Sequence, residues 1–223
     1  MREIVLDTET TGLDPSAGHR IVELAGIELI NAVATERFFH RYVNPERDMP
    51  EEAFQVHGLS IDFLSQHPPF GHIVEEFLDF VGDAPLVIHN AEFDMRFLNA
   101  ELQRCGRPAL PQQQSICTLV MARQKFPGAQ ASLDALCRRF AIDNTQRTKH
   151  GARLDAELLA EVYLNLIGGR QRGFELGSDL GGSGSITITR AFRAARPHAP
   201  SEAELTAHLA FLAKLKSPVW LSE

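Results

Sequence analysis

The sequence predicts an α/β fold, in which helices cover a mixed β-sheet. Three observations support this class. The first is that apolar runs typical of β-strands occupy the start of the chain. The second is a later short apolar run that lies between two segments with helical spacing of apolar residues. The third is that helical spacing of apolar residues recurs through most of the remaining chain. Strands followed by strands that alternate with helices are typical of a mixed sheet with helices packed against it. The length of 223 residues is sufficient for one good-sized domain and a tail.

Four segments are predicted to be β-strands. Residues 3–6 form a short apolar run, and residues 20–30 and 33–43 are two further candidates, joined by a short polar stretch near Asn31. This order predicts a three-stranded meander. The apolar run at residues 86–88 predicts another buried strand.

Apolar residues with helical spacing recur between and after these strands. Residues 73–81 carry one apolar stripe. Residues 152–167 form the last strong helical pattern, which Gly168 and Gly169 are expected to end. Further helices are predicted over residues 50–58, 93–105, 115–126, 132–140 and 201–215.

The composition is that of a soluble globular protein and argues against a membrane or disulfide-rich secreted protein. Hydrophobic residues make up 44% and charged residues 23%, as in soluble globular proteins. No apolar run reaches the roughly 18 residues that span a membrane, and no signal-peptide pattern is present, so we expect a cytoplasmic protein without membrane association. The three cysteines are odd in number and lack C-x-x-C spacing, so neither a disulfide nor a zinc site is expected.

The net charge of −7 argues against a broad basic surface for nonspecific DNA binding. It does not exclude a nucleic-acid enzyme, because a cluster of carboxylates becomes locally positive once it binds divalent cations.

Two carboxylates follow the first apolar run. Side chains two residues apart lie on the same face of a strand, so Asp7 and Glu9 are expected to point together. Two close unpaired carboxylates repel one another, and a divalent cation between them would remove that cost. The alternative is that these acids only cap the turn that follows.

Three more polar residues stand at the ends of predicted elements. Asp94 comes shortly after the strand at 86–88, and His150 and Asp155 flank the start of the last strong helix. Each has an ordinary alternative, because an Asp often caps a helix or interacts with its dipole and a His is often a surface residue.

Taken together, these five residues predict one site. Carboxylate oxygens suit Mg²⁺ or Mn²⁺. Two such ions can support an in-line phosphoryl displacement. A histidine can accept the proton of the attacking water. No Ser or Cys has an adjacent base in a recognisable motif, and no Walker-type phosphate-binding sequence is present.

The order and spacing of three motifs resemble those of the DEDDh 3′–5′ exonuclease family. The motifs are D-T-E-T-T-G from Asp7, N-x-x-F-D from Asn90 and H-x-x-x-x-D from His150. The resemblance covers residues 1–176 and is greatest to the proofreading exonucleases of bacterial replicative polymerases. It implies a ribonuclease H-like fold, with a mixed five-stranded sheet flanked by helices and a flexible C-terminal tail.

The resemblance also implies a role for each residue. Asp7 would bridge two divalent cations, Mg²⁺ or Mn²⁺. Glu9 and Asp155 would hold the ion on the side of the nucleophile, and Asp94 would support the second ion. His150 would be the general base. The 3′-terminal nucleotide would be contacted by Thr8, Thr10, Gly12, Leu13, His57, Asn90 and Phe93.

The composition changes after the exonuclease domain, which we assign to residues 1–176. Residues 177–200 begin with a Gly/Ser-rich stretch and are predicted to be a flexible linker. Residues 201–223 are predicted to form a docking tail with a helix, which Ser201 and Glu204 would begin with a capping box.

The resemblance implies two protein partners. The tail, which includes Trp220, would bind the catalytic (alpha) subunit of the polymerase, and Gln171, Phe174 and Leu176 would bind the sliding clamp. The alternatives are that the tail helix packs against its own domain and that the segment around Gln171 is ordinary linker.

The predicted function is therefore metal-dependent 3′–5′ removal of mismatched nucleotides from a DNA primer, as the proofreading subunit of the replicative polymerase. One alternative is a stand-alone exonuclease of the same family that acts on RNA or on DNA repair intermediates. A second alternative is a scaffold that bridges polymerase and clamp. The five intact catalytic positions argue against the scaffold, whereas the motifs do not separate the two enzymes.

Overall fold

The computed structural model describes residues 1–147, 149–168 and 199–215. The chain divides into two compact units, Met1–Phe174 and Glu175–Glu223. In the described ranges, every helix is too short or too polar to cross a membrane.

The first unit is built on a five-stranded sheet. Its strands are β1 (Arg2–Thr10), β2 (Ile21–Ile30), β3 (Val33–Tyr42), β4 (Leu86–Ile88) and β5 (Ser115–Cys117). Their order is β3-β2-β1-β4-β5. The meander β1-β2-β3 is antiparallel, whereas β4 runs parallel to β1 and β5 parallel to β4. The predicted mixed five-stranded sheet and its meander are confirmed.

Helices fill the connections of this unit. They are α1 (Glu51–His57), α2 (Ile61–Leu64), α3 (Phe70–Val81), α4 (Ala91–Arg104), α5 (Thr118–Lys125), α6 (Leu133–Phe140) and α7 (Ala152–Leu166). The described part of the second unit contains α8 (Glu202–Leu212).

Helices cover both faces of the sheet because alternate residues of β1 face opposite ways. Ile4 and Leu6 belong to a core that includes residues of α3 and α4. Val5 belongs to a second core with residues of α6 and α7. This arrangement confirms the predicted layers and leaves the carboxyl end of β1 between α4 and α7.

The structure differs from the sequence prediction at residues 115–126. The predicted helix there is wrong over its first three residues, which form β5, and α5 begins only at Thr118. A three-residue strand is too short to show a period of two, and its pairing with β4 is a long-range contact. The four-residue helix α2 was not predicted for the same reason of length.

The start of α8 agrees with the sequence prediction. The Ser201 hydroxyl accepts a hydrogen bond from the Glu204 N–H, and the Glu204 carboxylate accepts one from the Ser201 N–H, which completes the capping box. The apolar side chains of Leu205, Leu209 and Phe211 are exposed.

Candidate active site

The candidate site lies where three elements meet. Asp7 and Glu9 stand at the carboxyl end of β1, and Asp94 lies in the first turn of α4, directly after the parallel strand β4. Asp155 lies in the first turn of α7. Parallel neighbours bring their carboxyl ends to one edge of a sheet, where α/β folds bind ligands.

These elements enclose a cleft of about 320 Å³. It is lined by the five predicted catalytic residues Asp7, Glu9, Asp94, His150 and Asp155, and also by Thr8, His89, Phe93, Ser132, Leu133, Asp134 and Arg147. The structure therefore brings together all five residues that the motifs indicated.

The end of β1 is held by its pairing with β2. Glu9 pairs with Glu23, and the register shifts between Glu9 and Thr10, as β-bulges do near functional sites. The buried Glu23 accepts hydrogen bonds from Nε2 of His40 (2.7 Å) and from the backbone N–H of Ala152 (3.1 Å). Because Ala152 begins α7, this contact fixes the turn that carries Asp155.

Asp94 is oriented by the neighbouring strand. The hydroxyl of Thr8 donates a hydrogen bond of 2.7 Å to Oδ1 of Asp94, and both residues are buried. Thr8 thus holds a predicted metal ligand, in addition to lining the cleft where it was expected to contact substrate.

The carboxylates at the carboxyl end of β1 and the start of α4 resist ionisation. Burial, with the charges of Asp94 and Glu9 adding to it, raises the pKa of Asp7 well above its usual range. Burial and the charge of Asp155 raise the pKa of Glu9 to about 8. Burial also raises the pKa of Asp94 to about 7, against the lowering effect of the Thr8 hydrogen bond. Among the described residues, these acids have too few cationic partners to offset their burial.

Asp155 behaves differently because it has a cationic neighbour. Burial acts to raise its pKa, but hydrogen bonds from Arg147 and His150 outweigh burial and leave the pKa below its ordinary value. Arg147 donates to both carboxylate oxygens, at 2.6 and 2.7 Å. Nδ1 of His150 lies 3.3 Å from Oδ2 of Asp155.

The donor set fits a divalent cation. One candidate ligand atom from each of Glu9, His150 and Asp155 lies within 4.8 Å of the other two. Asp7 and Asp94 add two further carboxylates to the same cleft. Hard carboxylate oxygens suit Mg²⁺ and Mn²⁺, and a cation would stabilise the ionised carboxylates, which burial and mutual repulsion disfavour.

The last residue of β1 and the loop that follows it carry three of the residues expected to contact substrate, Thr10, Gly12 and Leu13. The Thr10 hydroxyl donates a hydrogen bond of 2.7 Å to the carbonyl of Gly12 and closes the turn. The side chain of Leu13 is 79% exposed beyond this turn.

The other expected substrate contacts come from three elements. His57, at the end of α1, is buried, and its Nε2 is the buried side-chain polar atom without a hydrogen-bond partner in the described part of the chain. Asn90 has a left-handed backbone (φ 65°) and begins α4 without a side-chain capping bond. Phe93 lines the cleft and packs against Phe97.

Four titratable residues at or beside the cleft were not among the predicted site residues: Glu23, His89, Asp134 and Arg147. His89 follows β4, and its Nδ1 lies 2.9 Å from the Thr118 hydroxyl. Arg147 stands only three residues before His150, and His89 stands directly before Asn90, so proximity to the motifs was a usable signal for both. Glu23 and Asp134 are identified only through their contacts with distant segments.

Comparisons with known proteins agree with this geometry. Residues 4–163 match the family model described as Exonuclease. The DNA polymerase III subunit epsilon of Rickettsia conorii is 56% identical over 179 residues, which cover 79% of this chain and 78% of the relative. The subunit epsilon of Escherichia coli K12 is 42% identical over 224 residues, which cover 95% of this chain and 92% of the relative.

A solved structure shares the fold. The nuclease domain of 3′hExo, described as a DEDDh family member bound to rAMP, superposes with a TM-score of 0.65 at 20% identity. The match covers 74% of this chain and 91% of that domain.

Proposed function

Because the chain belongs to the DNA polymerase III epsilon-subunit family of exonucleases, we propose that it removes mismatched nucleotides from a DNA primer 3′ end with two bound Mg²⁺ or Mn²⁺ ions. The protein is a 3′–5′ exonuclease with a proofreading role, and its family uses divalent metal ions. One observation carries the proposal for this site. Four carboxylates from three elements line a single cleft together with a histidine.

Each carboxylate has a proposed share in holding the ions. Asp7 would be shared by both ions, Glu9 and Asp155 would hold one, and Asp94 would hold the other. Two such cations, once bound, would stabilise the charge that develops on the attacking and leaving oxygens of an in-line displacement. The hydrogen bond from Thr8 keeps Asp94 in a fixed orientation for this task.

His150 is the proposed general base. It is half exposed, with 48% of its side chain accessible, so water can reach it. A neutral imidazole has one ring nitrogen without a proton, and this nitrogen can accept a proton from water. His89 is the other histidine at the cleft, but burial lowers its pKa.

The 3′-terminal nucleotide would lie against the residues that surround the carboxylates. For His57, support comes from its neighbour Val56, whose carbonyl accepts a hydrogen bond of 3.1 Å from the His150 N–H and so brings the end of α1 next to the proposed base. Asn90 offers a side chain that does not cap its own helix. Leu13 and Phe93 offer apolar surface to the last bases.

Selectivity for mismatches follows from the cost of unpairing. A 3′ end must leave its duplex to reach a narrow cleft, and this costs least when the terminal pair is mismatched. The enzyme therefore does not need to read the base itself.

A direct test compares the full chain with its Asp7→Ala and Asp83→Ala variants. The substrates are labelled primer–templates with matched or mismatched 3′ ends and an RNA end, each with Mg²⁺, Mn²⁺ or chelator. We expect metal-dependent release of nucleoside monophosphates, fastest from the mismatched DNA end. Asp7→Ala should abolish this release, and the exposed Asp83→Ala should not change it.

Two results would contradict the proposal. Release by Asp7→Ala at the wild-type rate would refute the site. A preference for RNA ends over mismatched DNA ends would favour the stand-alone exonuclease.

The tail is proposed to bind the DNA polymerase III catalytic (alpha) subunit. Support comes from the exposed apolar residues of α8, Leu205, Leu209 and Phe211. The Escherichia coli relative also aligns over 95% of this chain. A tethered docking helix would keep the nuclease at a high effective concentration near the primer end. Deletion of residues 177–223 should retain nuclease activity and abolish capture by the alpha subunit; retained capture would refute this role.

The proposed clamp-binding segment consists of Gln171, Phe174 and Leu176. These residues, like Trp220, lie outside the described residues, and so does the linker at 177–200 except its last two residues. A pull-down with the sliding clamp should lose signal in Gln171→Ala and Phe174→Ala, and unchanged binding would reject the segment. A cytoplasmic location is proposed together with this replication role.

A further inference from the structure

Arg147 connects three separate parts of the candidate site. Its side chain is only 8% exposed. Nε and Nη2 donate to the two oxygens of Asp155, and Nη1 donates to the two oxygens of Asp134 at 3.0 and 3.1 Å. Nη2 also lies 2.8 Å from Nδ1 of His150. One guanidinium thus contacts α6, α7 and the loop between them.

The geometry of these contacts requires an arginine. A guanidinium is planar and presents five N–H donors in a fixed fork, which matches two carboxylates at once, whereas a lysine ammonium is a single point charge. Asp155 remains available to other groups, because a carboxylate has about four acceptor positions and Arg147 uses two of them.

Asp134 fixes the loop at two points. It lies on α6 and accepts hydrogen bonds from Arg147 and, at 3.0 Å, from the side-chain amide of Asn144. The backbone N–H of His150 donates to the carbonyl of Val56 at 3.1 Å. In the described residues, the ring of His150 has polar contacts with Arg147 and Asp155. The orientation of His150 therefore depends on this pair.

We propose that Arg147 is a positioning residue, anchored by Asp134, that holds Asp155 and His150 in the geometry the hydrolysis needs. This inference rests on the proposed function of the site. It assigns to Asp134 no contact with substrate or metal; Asp134 acts only through Arg147.

The test uses the full chain and four variants: Arg147→Lys, Asp134→Asn, the double variant and Arg153→Gln. Arg147→Lys keeps the positive charge and removes the fork. Arg153→Gln is the matched control, because Arg153 forms an ion pair with Glu157 on the exposed side of α7. The measurements are kcat and KM on a single-stranded oligodeoxynucleotide, thermal unfolding, and hydrogen exchange of the His150 amide in the metal-free chain.

We expect Arg147→Lys to lower kcat about 10- to 100-fold with KM within about twofold, as the loss of a residue that orients ligands does. Asp134→Asn should lower kcat about 3- to 10-fold, and the double variant should match Arg147→Lys alone, because both changes break one linkage. Exchange of the His150 amide should accelerate in both single variants. Arg153→Gln should change none of these quantities.

Three results would overturn the inference. The first is that Arg147→Lys keeps the wild-type kcat. The second is that the fold-losses of kcat in the two single variants multiply in the double variant. The third is that hydrogen exchange of the His150 amide is unchanged in both single variants although they are folded. The exchange measurement needs no nuclease activity. A wild-type chain without activity would therefore refute the proposed function, while the exchange data would still decide whether Arg147 holds the loop.

Discussion

Raising the pH of the metal-free protein should weaken its fold. Glu9 has a pKa of about 8 in the folded protein, against an ordinary value of 4.5, because it is buried beside other carboxylates. Between these two values the folded chain keeps a proton that the unfolded chain has released. Stability is therefore lost as the pH rises towards 8. The raised pKa of Asp7 acts in the same direction.

The size of the effect follows from linkage. One proton held only by the folded state changes the free energy of unfolding by about 1.4 kcal/mol per pH unit. Between pH 6.5 and pH 8, Glu9 alone should remove about 2 kcal/mol. The buried histidines His57 and His89 offset only part of this loss. Burial lowers their pKa values below 6.5, whereas an unfolded histidine is still half protonated at pH 6.5, so each can add at most about 0.4 kcal/mol of stability by pH 8.

The assay is urea unfolding of the full chain at three pH values from 6.5 to 8 in chelator. Glu9→Gln should flatten the decline, and Glu52→Gln, which changes an exposed carboxylate, should leave the decline unchanged. Mg²⁺ at 100 times its dissociation constant should restore about 2.7 kcal/mol at pH 8. If the metal-free wild type keeps constant or rising stability over this range, the electrostatic reasoning about the cleft is wrong.

Two further predictions concern the scaffold. The Tyr163 hydroxyl donates a buried hydrogen bond of 2.7 Å to Glu3. Tyr163→Phe should therefore lower the free energy of unfolding by about 1–3 kcal/mol in urea titrations without changing nuclease activity. An unchanged urea midpoint would contradict this prediction. A Cβ atom at Gly26 would stand 2.9 Å from the Phe80 ring and 3.2 Å from Ile4, so Gly26→Ala should cost about 1–3 kcal/mol; a variant as stable as wild type would show that the ring moves freely.

Local patterns in the sequence predicted most of the elements and the candidate catalytic residues. The two-residue spacing of Asp7 and Glu9 follows from strand geometry alone, and the structure keeps both acids at the end of β1. The apolar residues of α3 and α7 predicted which face of each helix is buried, because residues that repeat about every 3.6 positions lie on one side of a helix. Such signals are local, so a single chain read in order is sufficient to find them.

Only the tertiary structure decided how these pieces act on each other. The three-residue strand β5 exists through its pairing with β4, and Glu23 reaches α7 across 129 positions of sequence. The raised pKa of Glu9 and the lowered pKa of Asp155 depend on burial and on distances to neighbouring charges. The contacts of Arg147 join two helices and a loop. Residue types and their spacing in the sequence do not determine the distances between side chains of distant segments, because those distances depend on how the chain folds.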